Sequence, residues 1–194
     1  RCSKICIYLL IAFCGVSCTA LNKTFQGTRN SIVSIAQKSP IARNNQDQDF
    51  QFAQNQFSRK DFSASEFYLK KSLANRPNDQ RALNLLPWSY FFQKRFDKAA
   101  IAFGQAHTFN KKNPISLIGL GWCYFSLKHY EKALEKFDHA ERLMPNAYEV
   151  HKGRAFVYLE QKREDLAKKE LSQIFDKNKI ENIITMWNQW MYKN

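Results

Sequence analysis

Four histidines, five cysteines and seventeen carboxylates are the side chains of this 194-residue chain that could hold a metal, attack a carbonyl or move a proton. His107, His129, His139 and His151 include no pair four residues apart, as a helical metal motif needs, and none has a cysteine pair beside it. Cys2, Cys6, Cys14 and Cys18 crowd the beginning of the chain, which leaves Cys123 alone next to Trp122. A solitary thiol in an apolar stretch reads as a small buried side chain before it reads as a nucleophile. Glu131, Glu135 and Asp138 stand among lysines at helical spacing, the pattern of a solvated ion-pair face. With no glycine-rich phosphate loop and no nucleophile elbow, the expectation is a protein without catalytic residues, metal or cofactor.

The formal charge of +13 is unevenly spread. Residues 1–45 hold six Lys/Arg and no acid, residues 46–113 eleven against six, and residues 114–181 twelve against eleven. A basic N-terminal half could meet nucleic acid, anionic lipid or an acidic polysaccharide. No nucleic-acid motif accompanies the charge, and a solvated basic face explains it equally.

The opening "RCSKICIYLLIAFCGVSCTA" has Arg1 and Lys4 before a short apolar run and ends in small residues. That is the layout of a secretory signal peptide or lipoprotein leader, too short for a comfortable membrane span. Two processing readings stand side by side. Cys18 and Ala20 satisfy the small-x-small rule of ordinary cleavage, whereas "GVSC" resembles a bacterial lipobox and makes Cys18 a lipid attachment point, although Gly15 stands where a bulky aliphatic is usual. Residues 21–45, rich in Asn, Gln, Ser and Lys and apolar only at "SIVSIA", read as a flexible linker, with an N-terminal cap as the alternative.

The elements that must position everything else appear as a repeat. Ala133, Phe137 and Ala140 recur thirty-four residues upstream as Ala99, Phe103 and Ala106, and downstream as Ala167, Leu171 and Ile174. Four units follow without insertion: 46–79, 80–113, 114–147 and 148–181. In the third, Leu117, Leu120, Gly121 and Tyr124 share one face of a first helix, while Ala133, Phe137 and Ala140 share one face of a second. Gly121 and Ala133 let the two helices approach, and Tyr124 and Phe137 fill the space beside them. No unit buries its apolar face without its neighbours. The class is therefore all-α, a stack of antiparallel helix pairs. Pro87 inside a first helix should remove a hydrogen bond at a cost of about 3 kcal/mol unless the helix kinks. Asp49, His151 and Arg154, where apolar residues are expected, point to frayed or solvent-facing ends. Residues 182–194, with Ile183, Ile184, Trp187 and Met191 on one stripe, read as a capping helix.

The third unit, with Leu117, Leu120, Gly121, Tyr124, Ala133, Phe137, Ala140 and Pro145, closely resembles the tetratricopeptide repeat, and the resemblance extends over about residues 46–181. It implies a right-handed superhelical solenoid whose first helices line a concave groove that holds another polypeptide. The second, fifth, ninth and twelfth places of each unit then face the groove. The ninth reads Gln54, Trp88, Trp122 and Phe156, an aromatic ladder surrounded by Arg81, Asn84, Ile115, Ile118, Glu149 and Lys152. Phe50 and Gln54 replace the Lys and Asn of the family's carboxylate clamp, which disfavours capture of a chaperone C-terminus.

Aromatics at helical spacing are also ordinary core residues, so groove and core remain two readings of the ladder. A groove position predicts only a small stability loss for Trp122→Ala. The function expected from the sequence is a non-catalytic scaffold binding a partner polypeptide, exported to the bacterial periplasm or anchored to a membrane as a lipoprotein. Two alternatives stand beside it: a binder of anionic surfaces, or a non-catalytic subunit that positions an enzyme.

Overall fold

The computed structural model describes residues 48–191. The expected leader 1–20, linker 21–45 and lipidation at Cys18 lie outside the described residues.

Short three- and four-residue breaks divide the chain into α1 (Gln48–Ser58), α2 (Phe62–Asn75), α3 (Gln80–Phe92), α4 (Phe96–Phe109), α5 (Pro114–Ser126), α6 (Tyr130–Leu143), α7 (Tyr148–Glu160) and α8 (Glu164–Leu171), followed by α9 (Lys177–Met191). The starts of α3, α5 and α7 are each thirty-four residues apart, and so are those of α2, α4, α6 and α8. Among the described residues there is no strand, and no helix is long and apolar enough to cross a membrane.

The turn inside each pair is built the same way four times. Lys60, Lys94, Lys128 and Lys162 have φ of 66°, 63°, 62° and 58°, the left-handed conformation that closes a helix C-terminus. In α5 the N–H of Lys128 donates to Phe125 O at 2.9 Å and that of His129 to Tyr124 O at 2.8 Å, and the other three turns repeat the pair of bonds. At the helix starts, Asp61, Asp79 and Asn113 side chains accept the N–H of Ala64, Arg81 and Ile115, capping orphan donors. Pro114 follows Asn113 at the first helical position, where it loses nothing.

Packing between pairs rests on rings set against glycines. Phe137 is fully buried, and a Cβ added to Gly121 would come within 2.6 Å of its Cε1. A Cβ on Gly153, in the next pair, would strike the same ring, and one on Gly119 would strike Phe103. The phenylalanine of one pair thus occupies the space left by a glycine six residues into the next. One unit earlier the same two places hold Leu69 and Leu85, both buried, so bulk is exchanged between them rather than lost.

Pro87 stands fully buried inside α3, where it removes the bond to the carbonyl four residues back while the helix continues. Two expectations from the sequence are corrected. His151 and Arg154 are not solvent-facing: His151 is 7% exposed, its Nδ1 lies 2.7 Å from Glu170, and the Arg154 guanidinium reaches Glu141 at 3.1 Å, Glu170 at 3.4 Å and Asp138 at 3.6 Å. Carboxylates on α6 and α8 replace the apolar contacts those places have elsewhere. Asp49 likewise pairs with Lys71 at 2.8 Å. The capping helix starts at Lys177 rather than 182, because Asp176 caps it through the Lys179 N–H and α8 already stops at Leu171. Ile180, Ile183, Ile184 and Trp187 are buried against α7 and α8 residues such as Ala155, Leu159 and Leu171.

Gly153→Ala is expected to destabilise the chain by about 1–3 kcal/mol in denaturant unfolding, the cost of forcing a methyl into a filled core. Phe137→Leu in the same molecule should recover part of that loss, giving a coupling above about 0.5 kcal/mol in the double-mutant cycle. Strict additivity would show that ring and glycine do not share the space.

Candidate protein-binding face

Helices α1, α3, α5 and α7 lie closer to one another along the stack than α2, α4, α6 and α8 do. The stack therefore curves with the first helices inside, and their free side is the concave face. The sequence-derived residues all lie on these helices, but they divide between surface and core.

Trp88 is 5% exposed and Trp122 8% exposed. The Trp88 indole meets Phe103 edge-on with centroids 4.9 Å apart, and Trp122 meets Phe137 in the same way at 5.7 Å. Both indoles are rooted in the rings that join successive pairs. Ile118 is buried as well. Phe156 remains half-buried, stacked on Trp187 of the capping helix at 5.9 Å and tilted against Trp122 at 6.0 Å. At the other end Gln54 is half-buried, with its amide nitrogen enclosed and without a hydrogen-bond partner.

The polar members are matched within the face. Arg81 donates to Asp79 through Nε at 3.0 Å and Nη2 at 2.8 Å, and its guanidinium covers the Phe50 ring at 4.7 Å. Burial works against the Asp79 carboxylate, but these bonds outweigh it and hold the carboxyl below its ordinary value. Asn84 accepts from Asn113 at 3.2 Å. Lys152 reaches Glu149 at 3.1 Å and lies over the rings of Trp122 and Tyr148. Ile115 is half-buried against the core.

The sequence reading missed the twelfth-place rings. Phe91 and Phe125 are half-buried beside Trp88 and Trp122, at 5.7 and 5.8 Å, and Phe125 also stacks on Phe156 at 6.5 Å. Their thirty-four-residue spacing was the available signal. More of the apolar surface left to a partner comes from these rings, Ile115 and Phe156 than from the two indoles.

Cys123 is fully buried, and burial pushes its thiol far above the usual range, so little thiolate forms near neutrality. Glu160 is raised by burial, against the bond it accepts from the Tyr130 hydroxyl at 3.2 Å. Among the described residues no three of His, Cys, Asp and Glu come together to hold a metal ion. The structure does unite His107 and His139, thirty-two residues apart in the chain, with ring centroids at 5.6 Å on adjacent outer helices. Burial, then the neighbouring charges of His139, Lys136 and Lys111, hold His107 below its ordinary 6.5.

Two outcomes are expected. Trp122→Ala should cost about 3–5 kcal/mol, a core-sized loss that replaces the small one expected from the sequence, whereas Lys152→Ala should cost no more than about 1 kcal/mol. Denaturant midpoints separate the two. For His107 the unfolded chain takes up its proton first as pH falls through 6.5, so native stability should decline from that pH downward. His107→Gln should flatten that part of the stability curve, and an unchanged slope would show that another group carries it.

Comparison with known proteins matches residues 114–147 to the tetratricopeptide repeat. No curated protein matches the chain. Among solved structures, a thermophilic tetratricopeptide repeat protein of Thermus thermophilus superposes with a TM-score of 0.64 at 18% identity, over 75% of this chain and 82% of its own. A tetratricopeptide repeat protein of Parabacteroides merdae gives 0.62 at 17% identity, over 76% of this chain and 60% of its own. The first such domain of Spaghetti (RPAP3), bound to the HSP90 peptide SRMEEVD, gives 0.54 at 17% identity, over 57% of this chain and 87% of its own. Residues 114–147 are thus a tetratricopeptide repeat, and the described chain has the fold of tetratricopeptide-repeat proteins.

Proposed function

We propose that this chain is a non-catalytic scaffold that holds an extended stretch of another polypeptide along the concave face of α1, α3, α5 and α7. The observation that carries the reading is a face whose rings are half-open while its charges are already paired. Phe91, Phe125, Phe156 and Ile115 offer apolar surface, and large rigid rings are the usual anchors of protein interfaces. Arg81 is bound by Asp79 and Lys152 by Glu149, so the face has little net charge to offer a polyanion. A peptide with apolar side chains and a hydrogen-bonding backbone suits it better than nucleic acid or an acidic polysaccharide.

A structural neighbour is bound to an HSP90 peptide, which supports peptide capture as a use of this fold. The acidic terminus of that peptide has no evident seat here, because Phe50 lies beneath Arg81 and the Arg81 charge is engaged by Asp79. The leader-like opening supports an exported location, periplasmic or tethered through Cys18, and with it a partner in the cell envelope.

A photo-crosslinking residue at position 115 should capture a defined protein from intact cells, and the same residue at position 138, on the outer side, should not. Equal capture at both positions, or capture only of polyanions lost on raising salt, would overturn the concave-face reading.

A further inference from the structure

The outward side of α4 presents Asp97, Lys98, Ile101, Gln105 and Thr108, all exposed, with Gly104 among them. Ile101 is 65% exposed, and Phe67, at the same place one unit earlier, is 63% exposed. The next two units have Glu135 and Lys169 there. Large apolar side chains thus stand on the outside of two pairs at a place where the other two carry charge.

Gly104 sets α4 apart from the other outer helices. Unlike Gly119, Gly121 and Gly153, each of which makes room for a ring, it has nothing from the rest of the described residues, its own helix turn apart, within 4 Å of where a Cβ would project. Glycine in the middle of a helix weakens it relative to alanine, and nothing inside the molecule requires it. Its use is to let another backbone come close from outside.

Ile101 is a knob, and Gly104, Gln105 and Thr108 outline a hollow one turn further on. Because knob and hollow lie on one helix, an antiparallel copy of α4 can seat each Ile101 in the other's hollow, the self-complementary arrangement of a two-fold interface. Charge agrees with that orientation. Asp97 stands in the first turn of α4, and the exposed Lys111 and Lys112 follow its last turn. Antiparallel pairing carries each Asp97, in line with Ile101 and Thr108, toward the other copy's lysines, with Lys98 about 100° to the side of that line, whereas parallel pairing would set like charges together.

We infer that the outer face of α4 is the contact between two copies of this chain, with the two-fold axis beside Gly104. The concave faces of both copies stay open, so a dimer would present two peptide-binding surfaces pointing away from a common back.

Sedimentation velocity of the full chain over a wide concentration range tests this. A monomer–dimer equilibrium is expected, and Ile101→Asp, at an exposed site that leaves the fold intact by circular dichroism, should raise its Kd by about tenfold or more. Gly104→Ala adds the sign that a folding defect cannot give. It should raise the melting temperature of the dilute monomer, through better helix propensity, while weakening the dimer. The inference is overturned if the chain is monomeric at every concentration, if Ile101→Asp leaves the dimer unchanged, if Gly104→Ala strengthens it, or if the α4 face instead holds a different protein.

Discussion

The Phe137 ring, held between Gly121 of its own helix pair and Gly153 of the next, is the contact on which the stack depends. A helix pair alone cannot bury its apolar stripe, and a flat ring wedged between two helix backbones ties one pair to the following one at close range. Phe103 and Gly119 repeat the device one unit earlier. The places that follow are consequences of it. Trp88 and Trp122 lean on these rings edge-on, which draws the indoles inward and leaves Phe91, Phe125 and Phe156 to form the open part of the concave surface.

Polar contacts accompany the ring-and-glycine device at one end of the stack and stand in its place, beside Leu69 and Leu85, at the other. At the C-terminal end, Arg154 sits among Asp138, Glu141 and Glu170, with His151 on the same Glu170. Such a cluster often adds less stability than apolar packing of the same volume, yet removing one of its partners is costly because it leaves a charge enclosed and unpaired. At the other end, Glu66 is bound by Lys70, Gln93 and Arg95. Burial disfavours its charge, and those bonds more than compensate, holding its carboxyl below the ordinary value. Both clusters join helices of successive units, so the last two units are registered by a ring and by charges together, and the first two by leucines and charges.

Charge also separates the two faces in function. Along the concave side the basic residues already have acidic partners, so apolar shape and backbone hydrogen bonds are left to decide what binds. On the outer side the pattern changes along the chain: the α6 surface is charged, with Glu131, Lys132, Glu135 and Asp138 exposed, whereas that of α4 carries Ile101 and an unfilled glycine. A solenoid exposes two long surfaces of opposite curvature, and this one gives them different chemistry.

By itself the sequence determined the all-α stack, the helix pairs of the thirty-four-residue frame and the closing amphipathic helix. Those follow from spacing, and spacing is local: Ala133, Phe137 and Ala140 fall on one face of a helix whatever lies beyond it. It did not show that Gly153 serves a ring in the preceding pair, that His151 and Arg154 would be enclosed by carboxylates thirteen to nineteen residues away, or that His107 would meet His139. Nor did it decide between groove and core for Trp88 and Trp122, since a ring at the ninth place is adjacent in sequence to both faces. That decision belongs to the tertiary structure, because the angle at which successive pairs cross determines how far the ring of one pair reaches beneath the helix of the next.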